Sequence, residues 1–187
     1  MSALLPFFVV LLLSFNMGTV QAMNNNNSST GDEPTCPVSA PLSIQQRIFN
    51  SVCHGNETAL AASLAELKQS SLQPSLQPSM ILDGFGLSPL HWAGSMLNLN
   101  MVNMLLDAGF SPSQLGGRMK RLTPLHSSIR AVQAKSTVLR VEVVTAMVTK
   151  DPSATKVRNA DEQTPAELAQ SLNLAVLVET LAGFDRK

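Results

Sequence analysis

His91 and His126 recur in the same setting, Pro-Leu-His, 35 positions apart, and a matched pair of imidazoles raises metal binding or general-base chemistry first. Equivalent histidines in repeated segments recur because the segment recurs, so the pairing by itself does not bring them to one site. His54, beside Gly55, has no cysteine or carboxylate at the spacing of a zinc motif. The chain lacks a nucleophile elbow, a phosphate-cradling glycine loop and paired catalytic carboxylates. The expectation is therefore no catalytic residue, no metal and no cofactor. Cys36 and Cys53 are the two cysteines. In an oxidising compartment they allow one disulfide, worth about 3 kcal/mol for a loop of that length; otherwise they are two separate thiols. Asn26, Asn27 and Asn56 each open an Asn-x-Ser/Thr acceptor for glycosylation, meaningful only if the chain enters a eukaryotic secretory pathway.

The elements around these residues follow from turn chemistry. In Asp83-Gly84-Phe85-Gly86-Leu87-Ser88-Pro89-Leu90-His91-Trp92-Ala93, Asp83 or Ser88 can accept backbone N–H groups, the glycines permit positive φ, and Pro89 suits a first helical turn. Apolar residues follow at Leu90, Ala93 and Leu97, then at Met101, Val102, Met104, Leu105 and Leu106, with Asn98 and Asn100 between the groups. That pattern is two short helices, closed by Gly109 and Pro112. The same signals return at Thr123-Pro124-Leu125-His126 and Thr164-Pro165-Ala166-Glu167, so matched prolines lie 35 and 41 positions apart. Self-similarity at that spacing predicts stacked supersecondary units.

The pattern D-x-x-G-x-[S/T]-P-L-H-x-A followed by V-x-x-L-L-x-x-G resembles an ankyrin repeat, without gaps over residues 83–113. The copy beginning at Thr123 has Arg121 at the turn-glycine place and about seven extra residues, around 132–140, between its helices. The next copy has Glu162 in the glycine place and Glu167 in the histidine place, like a capping unit with a more polar outer face. An N-terminal unit with Ile48, Val52, Gly55, Leu60 and Leu64 lacks the Thr-Pro-Leu-His lead-in. The predicted fold is all-α, an ankyrin-repeat solenoid of about four helix-turn-helix units at residues 42–82, 83–117, 118–158 and 159–187. The resemblance implies that His91 and His126 tie neighbouring turns together, and that a partner lies against turn tips and inner helices. Carried onto this chain, the contact residues are Phe85, Leu87, Ser95, Met96, Met119, Lys120, Leu122, Arg130, Asp161 and Gln163. Phe85, Leu87, Met96, Met119 and Leu122 would form an apolar strip flanked by Arg118, Lys120, Arg121 and Arg130, which suits a partner with an acidic rim.

Composition narrows the classes further. Thirteen acidic and thirteen basic residues balance, so the broad positive field of a nucleic-acid binder is missing. Apolar content of 44% with few aromatics fits a Leu/Val/Ala/Met helical core. Residues 1–22 carry no charged side chain, hold an apolar run over 4–15, and end in Val20-Gln21-Ala22, the small-residue pattern of signal cleavage. A helix of 12 residues rises only about 18 Å, short of a hydrocarbon core of roughly 30 Å. The reading is a cleaved signal and a secreted or extracytoplasmic protein, with no stable membrane insertion after cleavage. An uncleaved anchor, or initiation at Met23 with a cytosolic product, are the alternatives, and the missing Lys or Arg near Met1 favours them. Residues 23–41 predict a flexible tail rich in Asn, Ser, Thr and Pro, and the duplicated Ser-Leu-Gln-Pro at 71–78 predicts a lengthened loop. The leading function is non-catalytic binding of another protein; a luminal or periplasmic chaperone or inhibitor of a co-secreted enzyme is the second.

Overall fold

The computed structural model describes residues 42–70, 77–131 and 136–185. Expectations for the leader at 1–22, the tail at 23–41, Asn26, Asn27, Cys36 and residues 71–76 of the duplication fall outside the described residues. Eight α-helices and no β-strand form among the described residues. They are α1 Ile44–Cys53, α2 Glu57–Gln69, α3 Pro89–Met96, α4 Leu99–Asp107, α5 Pro124–Ile129, α6 Thr137–Lys150, α7 Pro165–Ser171 and α8 Ala175–Asp185.

Consecutive helices pair within each unit, and like helices stack between units. The inner layer runs α1, α3, α5, α7 and the outer layer α2, α4, α6, α8. Three inner helices start identically, with Ser88, Thr123 or Thr164 as N-cap and Pro89, Pro124 or Pro165 at the first helical position. The first unit starts instead from Ser43, whose hydroxyl and the Gln46 side chain close a capping box. Inner helices of eight, six and seven residues cannot persist alone, since isolated helices below about 12 residues are marginal in water. Packing holds them. Leu90, Leu105, Leu125, Met147, Leu177 and Leu181 are fully buried in one continuous core. Stability in such a stack resides mainly in interfaces between neighbours.

Gly94 lets α3 approach both α5 and α6 closely. A Cβ there would lie 2.9 Å from Met147 Cε and 3.1 Å from the Pro124 carbonyl. The turns before the inner helices need a left-handed residue three positions ahead of proline, supplied by Gly86 (φ 79°), Arg121 (φ 45°) and Glu162 (φ 56°). Only glycine takes that conformation without a steric cost. Arg121→Gly is therefore expected to stabilise the array by about 1 kcal/mol, read from the urea unfolding midpoint at unchanged slope. A destabilised variant would mean that the Arg121 side chain contributes more than its backbone strain costs.

The extra residues in the third unit do not all lie between its helices. Residues 137–140 form the first turn of α6, which at 14 residues outruns the nine of α4. Ser136 caps this longer helix by accepting the Leu139 N–H. Arg140 reaches back to the Ala131 carbonyl just beyond the end of α5.

Candidate functional site

The turn tips form one hydrogen-bonded ribbon. Gly117 N–H donates to the Gly86 carbonyl at 3.1 Å and Arg118 N–H to the Phe85 carbonyl at 3.2 Å, joining the second and third tips. Ala160 N–H donates to the Lys120 carbonyl at 3.0 Å, joining the third to the fourth. Two of the three tips are shaped by the side chain six positions before their proline. Asp83 Oδ1 accepts the Phe85 and Leu87 N–H groups, and its Oδ2 accepts the Trp92 indole N–H at 2.8 Å. The buried Asn159 Oδ1 accepts the Asp161 and Gln163 N–H groups in the fourth turn. Arg118 stands at this place in the third turn, which is closed by backbone bonds instead, Gly116 N–H to Leu122 O at 2.8 Å and Arg121 N–H to Gly117 O at 3.2 Å.

His91 and His126 lock the ribbon to the inner helices. The Ser88 N–H donates to His91 Nδ1 at 3.1 Å, which puts the ring proton on Nε2, and Nε2 donates to the Leu122 carbonyl of the next unit at 2.9 Å. The Thr123 N–H meets His126 Nδ1 at 3.4 Å, and Nε2 donates to the Gln163 carbonyl at 3.0 Å. Burial pulls the His91 imidazole down to about 4, against a weaker upward pull from the Leu122 carbonyl and Asp83, with His126 adding to the lowering. Burial lowers His126 as well. Both are structural cross-links with no free ring nitrogen. Glu167, at the histidine place of the fourth unit, turns its carboxylate onto Thr164 N–H and pairs with Arg158 at 3.1 Å. Among the described residues no cluster of three His, Cys, Asp or Glu side chains could hold a metal ion.

The sequence-derived contact residues separate into groups. Met119 is 89% exposed and Phe85 59%, on adjacent tips. Leu87 and Leu122 are half-buried beneath them, and the Leu122 carbonyl is already shared by Gly116 N–H and His91. Lys120 and Asp161 are exposed and pair with each other at 3.5 Å, while Gln163 is half-buried with its N–H on Asn159. Arg130 is exposed on the inner layer. Met96 lies elsewhere. It ends α3, one helix length or roughly 12 Å from the tip, and shares a shallow depression with Leu97, Leu99 and Leu139. Ser95 is half-buried, its hydroxyl donating to the Trp92 carbonyl. The tips and Met96 thus belong to opposite ends of the inner layer. Sequence reasoning missed Val138, 65% exposed, and Leu139, which the extra turn of α6 presents near Met96's end of the stack; the cap signal of Ser136 was the readable cue.

Cys53 ends α1 as an exposed free thiol, raised above its ordinary value by burial around the sulfur and then by Asp83. Its partner in the expected disulfide, Cys36, is outside the described residues.

This arrangement, four helix pairs with histidine-tied turns, is the ankyrin-repeat fold. No protein-family model matches the chain, and no curated protein matches it. Among solved structures it is similar to the ankyrin repeat domain of Bcl-3, a member of the IkappaB protein family, with a TM-score of 0.58, 19% identity, and coverage of 72% of this chain and 54% of that one. The chain thus spans about half the length of that solved domain, and the likeness is one of fold.

Proposed function

We propose that this chain is an exported, non-catalytic binding module that captures another protein on its second and third turn tips. One observation carries the reading: the third turn presents Met119 almost fully to solvent beside Phe85, and flanks them with Arg118 and Arg121, whose side chains have no hydrogen-bond or ion-pair partner among the described residues; Arg130, at the end of α5, lies with Met96 at the other end of the inner layer. An apolar centre with a cationic rim suits a partner that offers apolar side chains bordered by carboxylates. The Lys120–Asp161 pair is half-exposed on both sides, worth under about 1 kcal/mol, and is free to exchange for a partner's charge. The bonds joining the tips are main-chain or histidine-mediated and Asp83 holds the Phe85 and Leu87 N–H groups within the second, so the surface is ordered before binding and little ordering opposes capture.

Phe85→Glu combined with Met119→Glu should abolish capture of the partner from the secreted fraction while circular dichroism and the urea midpoint stay within error. Unchanged capture overturns the placement. Export is supported by the apolar leader and its small-residue terminus, and no described helix is long and apolar enough to cross a membrane. Cell fractionation with intact-mass measurement, before and after thiol alkylation, tests it together with the state of Cys36 and Cys53; recovery of a full-length cytosolic chain would end the export reading.

A further inference from the structure

We propose that Asn56 carries an N-linked glycan, a modification site built into the turn between α1 and α2; the inference rests on the export reading. Asn56-Glu57-Thr58 has the acceptor pattern, and the structure adds what a pattern cannot. Asn56 is the N-cap of α2, with Oδ1 accepting the Ala59 N–H at 2.9 Å. The cap uses only the oxygen. Nδ2 makes no hydrogen bond among the described residues, so bonding a sugar to it costs the fold nothing already made.

The surroundings agree. His54, Gly55, Asn56 and Thr58 are all exposed. Gly55 holds the turn with φ 67° and has no atom within 4 Å of where a Cβ would stand, so space opens beside the acceptor. Glu57, between acceptor and hydroxyl, is turned onto the second unit, where Asn100 Nδ2 donates to its carboxylate at 3.2 Å. The equivalent turn of the second unit makes the contrast: Asn98 caps α4 through its oxygen in the same way, accepting the Met101 N–H, but Leu99-Asn100 follow and no acceptor pattern results. Capping explains an asparagine in both turns and does not explain Thr58.

The step requires a lipid-linked oligosaccharyl diphosphate as donor. Asn56 Nδ2 attacks the anomeric C1, the new N–C1 bond forms as the C1–O bond breaks, the lipid diphosphate leaves with that electron pair, and Nδ2 gives one of its two protons to base. The oxygen retained by the amide goes on accepting Ala59 N–H. A glycan here would rise from the helix-helix turn, at the far end of the inner helix from the turn tips, and leave Phe85 and Met119 uncovered.

The test expresses the full chain in eukaryotic cells in two forms, one with its own leader and one with residues 1–22 replaced by a known secretory signal. Both carry Asn26→Gln and Asn27→Gln. Secreted protein is digested, and the Asn56 peptide is examined for sugar by mass spectrometry with and without peptide N-glycosidase. The expected result is a glycopeptide at Asn56 in the form with the known signal, abolished by Thr58→Ala. Asn56→Asp, which keeps the capping oxygen, should remove the sugar while leaving the thermal midpoint of the deglycosylated protein unchanged. An unmodified Asn56 in chain secreted through the known signal overturns the site. A glycosylated Asn56 in that form beside an unmodified, cytosolic chain from the native leader supports the site and overturns the export reading instead.

Discussion

Gly116→Ala should destabilise the array by about 3 kcal/mol, combining overpacking with the loss of a buried hydrogen bond. A Cβ at Gly116 would stand 2.7 Å from the Gly86 carbonyl oxygen and 2.8 Å from both Cε1 and Nε2 of His91. None of these atoms is the free end of a flexible chain. The Gly86 carbonyl is fixed by Gly117 N–H, and the His91 ring is held at both nitrogens. Gly116 has no positive φ to protect, so the effect is purely one of space. Making room for the methyl group must open the Gly86–Gly117 bond or swing the imidazole off Leu122, and either one loosens the joint between the second and third units. Because an array unfolds as one body only while its interfaces are strong, the urea slope should fall along with the midpoint. Gly84→Ala is the control: nothing lies within 4 Å of its would-be Cβ, and its effect should stay near 0.5 kcal/mol. If the two variants unfold alike, the ribbon joint is not where the stability of this interface resides.

That glycine had no signal in the sequence, and the reason separates what was legible from what was not. The Pro-Leu-His segments fix the register of the array, because a proline at the first helical position and a cap before it have few alternatives in φ and hydrogen bonding. Arg121 and Glu162 could be placed at left-handed positions by counting back from Pro124 and Pro165. Gly116 earns its identity from a ring 25 positions earlier in the chain, and no local pattern reports that. The same limit explains Met96. It follows the tip residues closely in sequence, but α3 carries it down the length of the inner layer, so Phe85 and Met119 share an edge that Met96 does not. Residues 137–140 were assigned to a connection because the insertion was measured against the repeat spacing; Ser136 as cap and the helix formers after it extend α6 instead. In each case spacing gave the unit, and contacts across units decided the use of each side chain.

Acid should weaken the protein well above the pH at which its carboxylates protonate. The His91 imidazole sits at about 4 in the folded chain, chiefly through burial, against about 6.5 when unfolded. A histidine lowered by folding binds its proton more readily in the unfolded state, so stability is fully present above pH 6.5 and declines as pH falls from there toward 4. At ~1.4 kcal/mol for each tenfold, the whole separation amounts to about 3 kcal/mol. The structural cause is specific: a second ring proton would sit on Nδ1, where the Ser88 N–H already points as a donor. Of the charged groups acting on the ring, Asp83 opposes the lowering and His126 reinforces it, while His126 is itself lowered by burial and works in the same direction. Glu167 is held below the usual carboxylate range, first by the Thr164 backbone N–H, so its contribution is lost only at more acid pH and does not mimic the histidine window. Urea midpoints between pH 7.5 and 4 should fall steadily below 6.5, and His91→Gln should be less stable at neutral pH but show a flatter pH dependence. A His91 ring resonance titrating near 6.5 in the folded protein would sink the account, because it would mean the imidazole that joins the second unit to the third is open to water.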